Sequence, residues 1–105
     1  MNNVSLKKVT IVAEKLLKDP LVKLIREEGA SGHTLLAVEG EGSRGVHASD
    51  WEGRNAQIET IVSEKVAERI LERIGEEYLE NYAVIAYLSD VTVLRKGKFA
   101  DEADR

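Results

Sequence analysis

Apolar positions along the chain alternate between two periods, one of two residues and one close to 3.6. Residues 8–13 (Lys8-Val9-Thr10-Ile11-Val12-Ala13) are β-branched and apolar on both faces, which predicts a short strand covered from both sides. Leu17, Leu21, Leu24 and Ile25 then recur at helical spacing, with Lys23, Arg26, Glu27 and Glu28 on the opposite side. Asp19-Pro20 reads as an N-cap followed by the first helical position, and Gly29 as the left-handed stop. Thr34 to Val38 is a second strand. Ala56 to Ser63 is a third, with Ala56, Ile58, Thr60 and Val62 on one face. Residues 64–80 carry the clearest helical stripe: Val66, Ala67, Ile70, Leu71, Ile74 and Tyr78, backed by Glu68, Arg69, Glu72, Arg73 and Glu76. Ala83 to Leu88 is a fourth strand, apolar on both faces, and Val91 to Leu94 a short fifth.

The order β-α-β, long loop, β-α-β predicts an α+β fold. It is a ferredoxin-like βαββαβ sandwich with four antiparallel strands and both helices on one face, in a single domain spanning residues 1–105. The helices of such a sandwich cover only one side of the sheet. Yet strands one and four place Thr10 and Val12 opposite Val9 and Ile11, and Ile85 and Tyr87 opposite Val84, Ala86 and Leu88. An apolar sheet face left open is an interface, so sheet-to-sheet association of copies is expected. The competing expectation is that the C-terminal tail, residues 96–105, covers that face.

Composition narrows the function. Nineteen acidic residues outnumber 15 Lys+Arg, giving a net charge of −4, and phosphate backbones need a basic field, so nucleic acid is not an expected partner. The chain has no cysteine, which excludes disulfides, zinc–thiolate sites and thiol nucleophiles. No apolar run approaches the ~20 residues that span a bilayer, and Met1 to Lys8 has no apolar signal core, so the cytoplasm is the expected location.

Candidate chemistry gathers in one connection. Six of the eight glycines lie between Gly29 and Gly53. Residues 39–55, between strands two and three, hold Trp51, His47, Arg44 and Arg54. Loops longer than ~12–15 residues in compact domains usually serve function or stay disordered. Gly40-Glu41-Gly42-Ser43-Arg44 combines backbone N–H groups free to approach a ligand with a hydroxyl and a guanidinium suited to phosphate. It is not a Walker loop, which needs Gly-Lys-Ser/Thr. His33, Glu39, Glu41 and His47 fit no metal-ligand spacing, so no metal site is expected. Ser43 and His47 lack a third group to orient the histidine, so no catalytic residue is expected and the chain is not expected to be an enzyme.

The run Lys8-Val9-Thr10-Ile11-Val12-Ala13-Glu14-Lys15, the entry Gly29-Ala30-Ser31-Gly32-His33-Thr34, the loop base Gly40 to Val46, and Tyr78-Leu79-Glu80-Asn81-Tyr82-Ala83 together resemble the PII-like signalling proteins. The nearest branch is that of SbtB and the carboxysome-associated PII-like proteins, and the match runs from about residue 7 to 94. The resemblance implies a homotrimer with sheets facing inward, adenine nucleotides in the clefts between subunits, and residues 39–55 acting as the family's T-loop. It also implies bicarbonate as a further ligand and a membrane transporter for inorganic carbon as the partner that the T-loop docks on. Carried over by position, Gly42, Ser43, Arg44 and His47 would hold phosphate, Glu14 and Lys15 would border the loop base, and Tyr82, Ala83 and Val84 would approach the nucleotide. Glu41 stands where that branch often has lysine, which favours AMP, ADP or cyclic AMP over ATP. The T-loop tyrosine of the nitrogen-signalling group and the C-terminal cysteine pair of SbtB are missing. The alternative expectation is a trimer resembling the CutA group, which binds divalent metal.

Overall fold

The computed structural model describes residues 2–40 and 55–95, with side chains described for residues 4–40 and 55–94. Strand β1 runs Asn2–Glu14, a 3-10 turn follows at Lys15–Leu17, and helix α1 spans Lys18–Glu27. Strand β2 is Thr34–Val38, β3 is Asn55–Val62, helix α2 is Glu64–Glu77, and β4 is Val84–Arg95. The strands form one antiparallel sheet in the order β2-β3-β1-β4. This is the ferredoxin-like arrangement that the pattern predicts.

Register assigns the faces. Val9 stands between Thr60 and Leu88, Ile11 between Ile58 and Ala86, and Ala13 between Ala56 and Val84. These positions share the face that packs against Leu21, Leu24 and Ile25 of α1 and Val66, Ala67, Ile70 and Ile74 of α2. The helical stripes are therefore buried as expected, with Leu71 and Tyr78 at the margin of the core. Removing a large side chain from its centre, such as Ile70, costs about 2–5 kcal/mol.

The helix ends follow local chemistry. At the C-terminus of α1, Gly29 has φ 118°, its N–H donates to the Arg26 carbonyl at 3.0 Å, and the Ala30 N–H donates to the Ile25 carbonyl at 2.9 Å. That is a Schellman ending, with glycine at the left-handed position. The start differs from the expected one. Leu17, not Asp19, occupies the cap position of α1 and makes no side-chain cap bond. The chain enters the helix through the 3-10 turn, so Asp19 lies in the first turn, where it complements the helix dipole. Pro20 still sits where no intrahelical N–H bond is needed. At α2 the cap is Ser63, whose Oγ accepts from the Val66 N–H at 3.2 Å. Ser63 therefore leaves β3, and α2 ends at Glu77 instead of residue 80.

Two strands are longer than their apolar runs. β1 begins at residue 2, not 8, and the expected fourth and fifth strands are one continuous strand, β4. Ser89-Asp90 reads as a break in sequence, but these residues stay in the ladder opposite Lys8 and Lys7. Asp90 accepts an ion-paired hydrogen bond from Lys7, which holds the Lys7 ammonium above its usual pKa. Pairing between β1 and β3 stops at Lys7–Val62, so residues 2–6 and 91–95 form a two-stranded ribbon beyond the rest of the sheet.

The second face of the sheet exposes apolar side chains on β2 and β4, while Thr10 at its centre is buried. Ile85 is 59% exposed, Tyr87 48% and Leu36 41%. Register aligns Ile85 with Val12 and Tyr87 with Thr10, and Leu36 with Gln57. Of the uncovered apolar face expected from strands one and four, the β4 part is exposed, whereas Thr10 of β1 is fully buried and Val12 half-buried. The C-terminal tail proposed as its alternative cover lies outside the described residues.

Candidate functional site

The ends of four strands meet where the long connection is rooted. Glu14 ends β1 opposite Asn55, which also pairs with Val38 of β2, and Ala13 pairs with Val84 at the start of β4. Five of the candidate residues share this end of the sheet: Glu14, Lys15, Tyr82, Ala83 and Val84. Glu14 is buried, at 5% exposure, and Lys15 is exposed in the turn that follows. Lys15 and Lys18 line a cavity of about 210 Å³ whose floor is Leu35, Ala37 and Ala56. Tyr82 is exposed and packs on Tyr78, with ring centroids 5.7 Å apart. Burial raises the Tyr78 phenol above its usual pKa. Val84 is buried in the helix-side core, so its side chain is committed to packing. Gly42, Ser43, Arg44 and His47 lie outside the described residues.

A second cavity, of about 190 Å³, lies at the other end of β2. It is lined by Lys8 of β1, by residues 31–34 at the entry to β2, and by residues 59–61 of β3. Glu59 is four residues from Asn55, so the two cavities are about 13 Å apart along the strand. Here the polar groups are organised. Thr60 Oγ1 donates to the Gly32 carbonyl at 2.6 Å, which fixes the β2 entry onto β3. Gln57 Nε2 donates to Glu59 Oε2 at 2.8 Å, and Lys8 Nζ stands 3.9 Å from the same oxygen. His33 Nδ1 is buried without a hydrogen-bond partner among the described residues. A ligand pocket for a drug-sized molecule is about 300–1,000 Å³. Neither cavity alone reaches that size.

Of the residues around this second cavity, only His33 is weighed on sequence grounds, as a metal ligand that its spacing does not support, although the segment from Gly29 to Thr34 carries part of the resemblance. Its lining comes from three distant segments, and no spacing joins Lys8, His33 and Glu59. The available signal was the polar side of β3, where Asn55, Gln57 and Glu59 share one sheet face. Elsewhere, Arg73 bonds to Glu77 at 2.8 Å and Glu27 at 2.9 Å, and Arg69 reaches Glu28 at 3.2 Å. This network ties the C-terminal end of α1 to α2. Among the described residues no three His, Asp or Glu side chains gather as metal ligands, and no helix is long and apolar enough to cross a membrane.

The fold and the paired cavities can be set beside known proteins. The family model described as Nitrogen regulatory protein P-II matches residues 6–98. The chain belongs to the P-II family. It is similar to TTHA0516 of Thermus thermophilus, described as a PII-like signalling protein, with 55% identity over 90% of this chain and 94% of that one, and a TM-score of 0.77. CPII of Thiomonas intermedia K12, a nitrogen regulatory PII-like protein, has been solved with ADP, AMP and bicarbonate. It aligns at 24% identity over 90% of this chain and 99% of that one, with a TM-score of 0.78. A second CPII structure, with ADP, AMP and acetate, aligns at 24% identity over 90% and 94%, with a TM-score of 0.79. At that identity the CPII likeness establishes the shared fold. The P-II assignment makes this chain a PII-like signalling protein with a ferredoxin-like domain.

Proposed function

We propose that the protein is a non-catalytic cytoplasmic regulator of the SbtB and carboxysome-associated branch, in which three copies meet sheet to sheet and hold an adenine nucleotide in each seam. The observation that carries this reading is the pairing of exposed apolar side chains on one sheet face with two cavities at the ends of β2, one polar and one largely apolar, that are each too small to enclose a nucleotide. Association buries Ile85, Tyr87 and Leu36, and completes each partial pocket with surface from a neighbour. Ring closure by a heterologous contact gives three equivalent seams.

Within a seam the chemistry divides. Lys15 and Lys18 border the root of the connecting loop, and Gly42, Ser43, Arg44 and His47 are the phosphate-holding residues of that loop. Tyr82 and Ala83 approach from the turn before β4. His33, Thr34 and Glu59 supply a polar pocket for the base. Phosphate pairing with Arg44 stabilises one loop arrangement over others, and that differential affinity is the signal. The loop then docks on an inorganic-carbon transporter, with bicarbonate as a second ligand. The ADP, AMP and bicarbonate bound by CPII support these ligand classes. No described residue cluster favours the alternative of a metal-binding trimer.

Calorimetric titration with AMP, ADP, ATP and cyclic AMP, each with and without bicarbonate, tests the reading. Saturable binding of AMP or ADP, tighter than ATP, is expected. The absence of any adenine-nucleotide binding up to a millimolar contradicts it, and a melting temperature raised by zinc or copper but not by nucleotide supports the metal-binding alternative.

A further inference from the structure

The edge of the sheet at β2 carries a groove that the single chain leaves open. β2 is the outermost strand, so its backbone groups on the side away from β3 pair with no other strand among the described residues. Next to it lies the cavity of about 210 Å³, with Leu35, Ala37 and Ala56 as an apolar floor and Lys15 and Lys18 at its rim. Leu35 is 43% exposed, and Leu16, beside Lys15 in the 3-10 turn, is 58% exposed. Among the described residues neither lysine is ion-paired, and no carboxylate lines the cavity. A free strand edge takes an extended segment. The apolar floor and the two cations ask that segment for a large apolar side chain with carboxylates close by.

The C-terminal residues have that character. Lys98-Phe99-Ala100-Asp101-Glu102-Ala103-Asp104-Arg105 joins the only phenylalanine of the chain to three carboxylates. In an extended segment Phe99 and Asp101 fall on one side, which suits a floor bordered by lysines. The groove of the same chain is out of reach. β1 and β4 pair from Ala13–Val84 to Asn2–Arg95, and the 12 residues of β4 span about 36 Å. The groove lies at the Ala13 end, because Lys15 follows directly on β1. From Arg95 to Phe99 the chain reaches at most about 14 Å. We propose that Phe99 of one copy seats in the β2 groove of a neighbouring copy, with the carboxylates after it against Lys15 and Lys18. Each tail then clasps the next subunit. This rests on the association of copies proposed above and is independent of the nucleotide. A tail-to-groove contact is heterologous, and three of them close the same ring as the sheet contacts.

The chain has no cysteine, so introduced thiols report the contact directly. The test co-expresses full-length copies carrying Ala37→Cys with copies carrying Phe99→Cys, oxidises the assembly and measures the covalent dimer of one copy of each kind. A disulfide forms only where the two Cα atoms come within about 7 Å. The mixed dimer should exceed by about tenfold the yield with Lys65→Cys, at an exposed position of α2, in place of Ala37→Cys. Lys15→Glu with Lys18→Glu should lower the yield severalfold, Asp101→Lys with Glu102→Lys on the tail should restore part of it, and 1 M salt should reduce it in the unaltered charge background. Both thiols in one chain should give a covalent trimer. Leu35→Cys reads the same groove where Ala37→Cys does not fold. A yield no higher than with Lys65→Cys, in protein that light scattering shows to be trimeric, overturns the proposal and leaves the groove to an acidic segment of another protein. A bridge closed within a single chain overturns it as well. Particles of one chain overturn the association of copies itself, an outcome distinct from a trimer whose tail thiol stays free.

Discussion

Ile85 offers the sharpest perturbation of the proposed assembly, because its side chain points away from the core that folds the single chain. It is 59% exposed and stands beside Val12 on the open sheet face. Burying such a side chain completely is worth about 1.5–3 kcal/mol, so covering what remains exposed contributes about 1–2 kcal/mol per copy. Ile85→Ala removes most of this at three seams at once, about 3–5 kcal/mol for a trimer, which lowers the association constant by about two to four decades. Ile85→Lys goes further, since an unpaired ammonium in the seam adds several kcal/mol of desolvation. Light scattering across a concentration series, with far-ultraviolet circular dichroism as the folding control, reads the outcome. The expected mass for wild type is three times the 11.7 kDa of one chain. Ile85→Ala should dissociate on dilution, and Ile85→Lys should be a folded monomer throughout. A folded Ile85→Lys protein that keeps the wild-type mass at every concentration refutes the reasoning that this face is the seam.

The remaining predictions concern stability and the pocket. Ser63→Ala removes the side-chain cap bond at the start of α2 and should cost about 1 kcal/mol, read as a melting temperature about 4–8 °C lower. Gly29→Ala forces a side chain onto a backbone with φ 118° and should destabilise by more than ~1 kcal/mol in chemical denaturation, with the slope unchanged. Lys7 and Tyr78 both have raised pKa values in the fold, so the folded chain holds protons that the unfolded chain releases. Their contribution is complete below about pH 10 and falls as pH climbs through the folded values, so thermal melts should weaken above that point. Asp90→Asn should reduce that alkaline loss. Thr60→Val frees the Gly32 carbonyl and should weaken AMP binding in calorimetry while leaving the trimer mass unchanged.

Much of the architecture was legible because burial imposes a period. The stripe from Val66 to Ile74 and the alternation Ala56, Ile58, Thr60, Val62 each face the one core the chain can build. Where burial does not dictate residue type, the pattern failed. Residues 2–7 and 89–90 are polar or mixed, yet backbone pairing carries them into long strands, because a ladder needs N–H and C=O groups and not apolar side chains. Asp19-Pro20 looked like a helix start, but the 3-10 turn before it had already begun the coil. The loop-root candidates Glu14, Lys15 and Tyr82 were found through resemblance and share one end of the sheet. The His33 cavity was not found, because Lys8, His33 and Glu59 converge only through the register of β1, β2 and β3.

The most direct measurement of the central claim is titration of AMP or ADP into the protein with its mass followed by light scattering in the same sample. One nucleotide per chain, bound by particles of three chains and lost together with the trimer in Ile85→Lys, is the predicted result. Equal binding by the folded Ile85→Lys monomer, or a wild-type particle of 11.7 kDa that stays single whatever nucleotide is added, would contradict it.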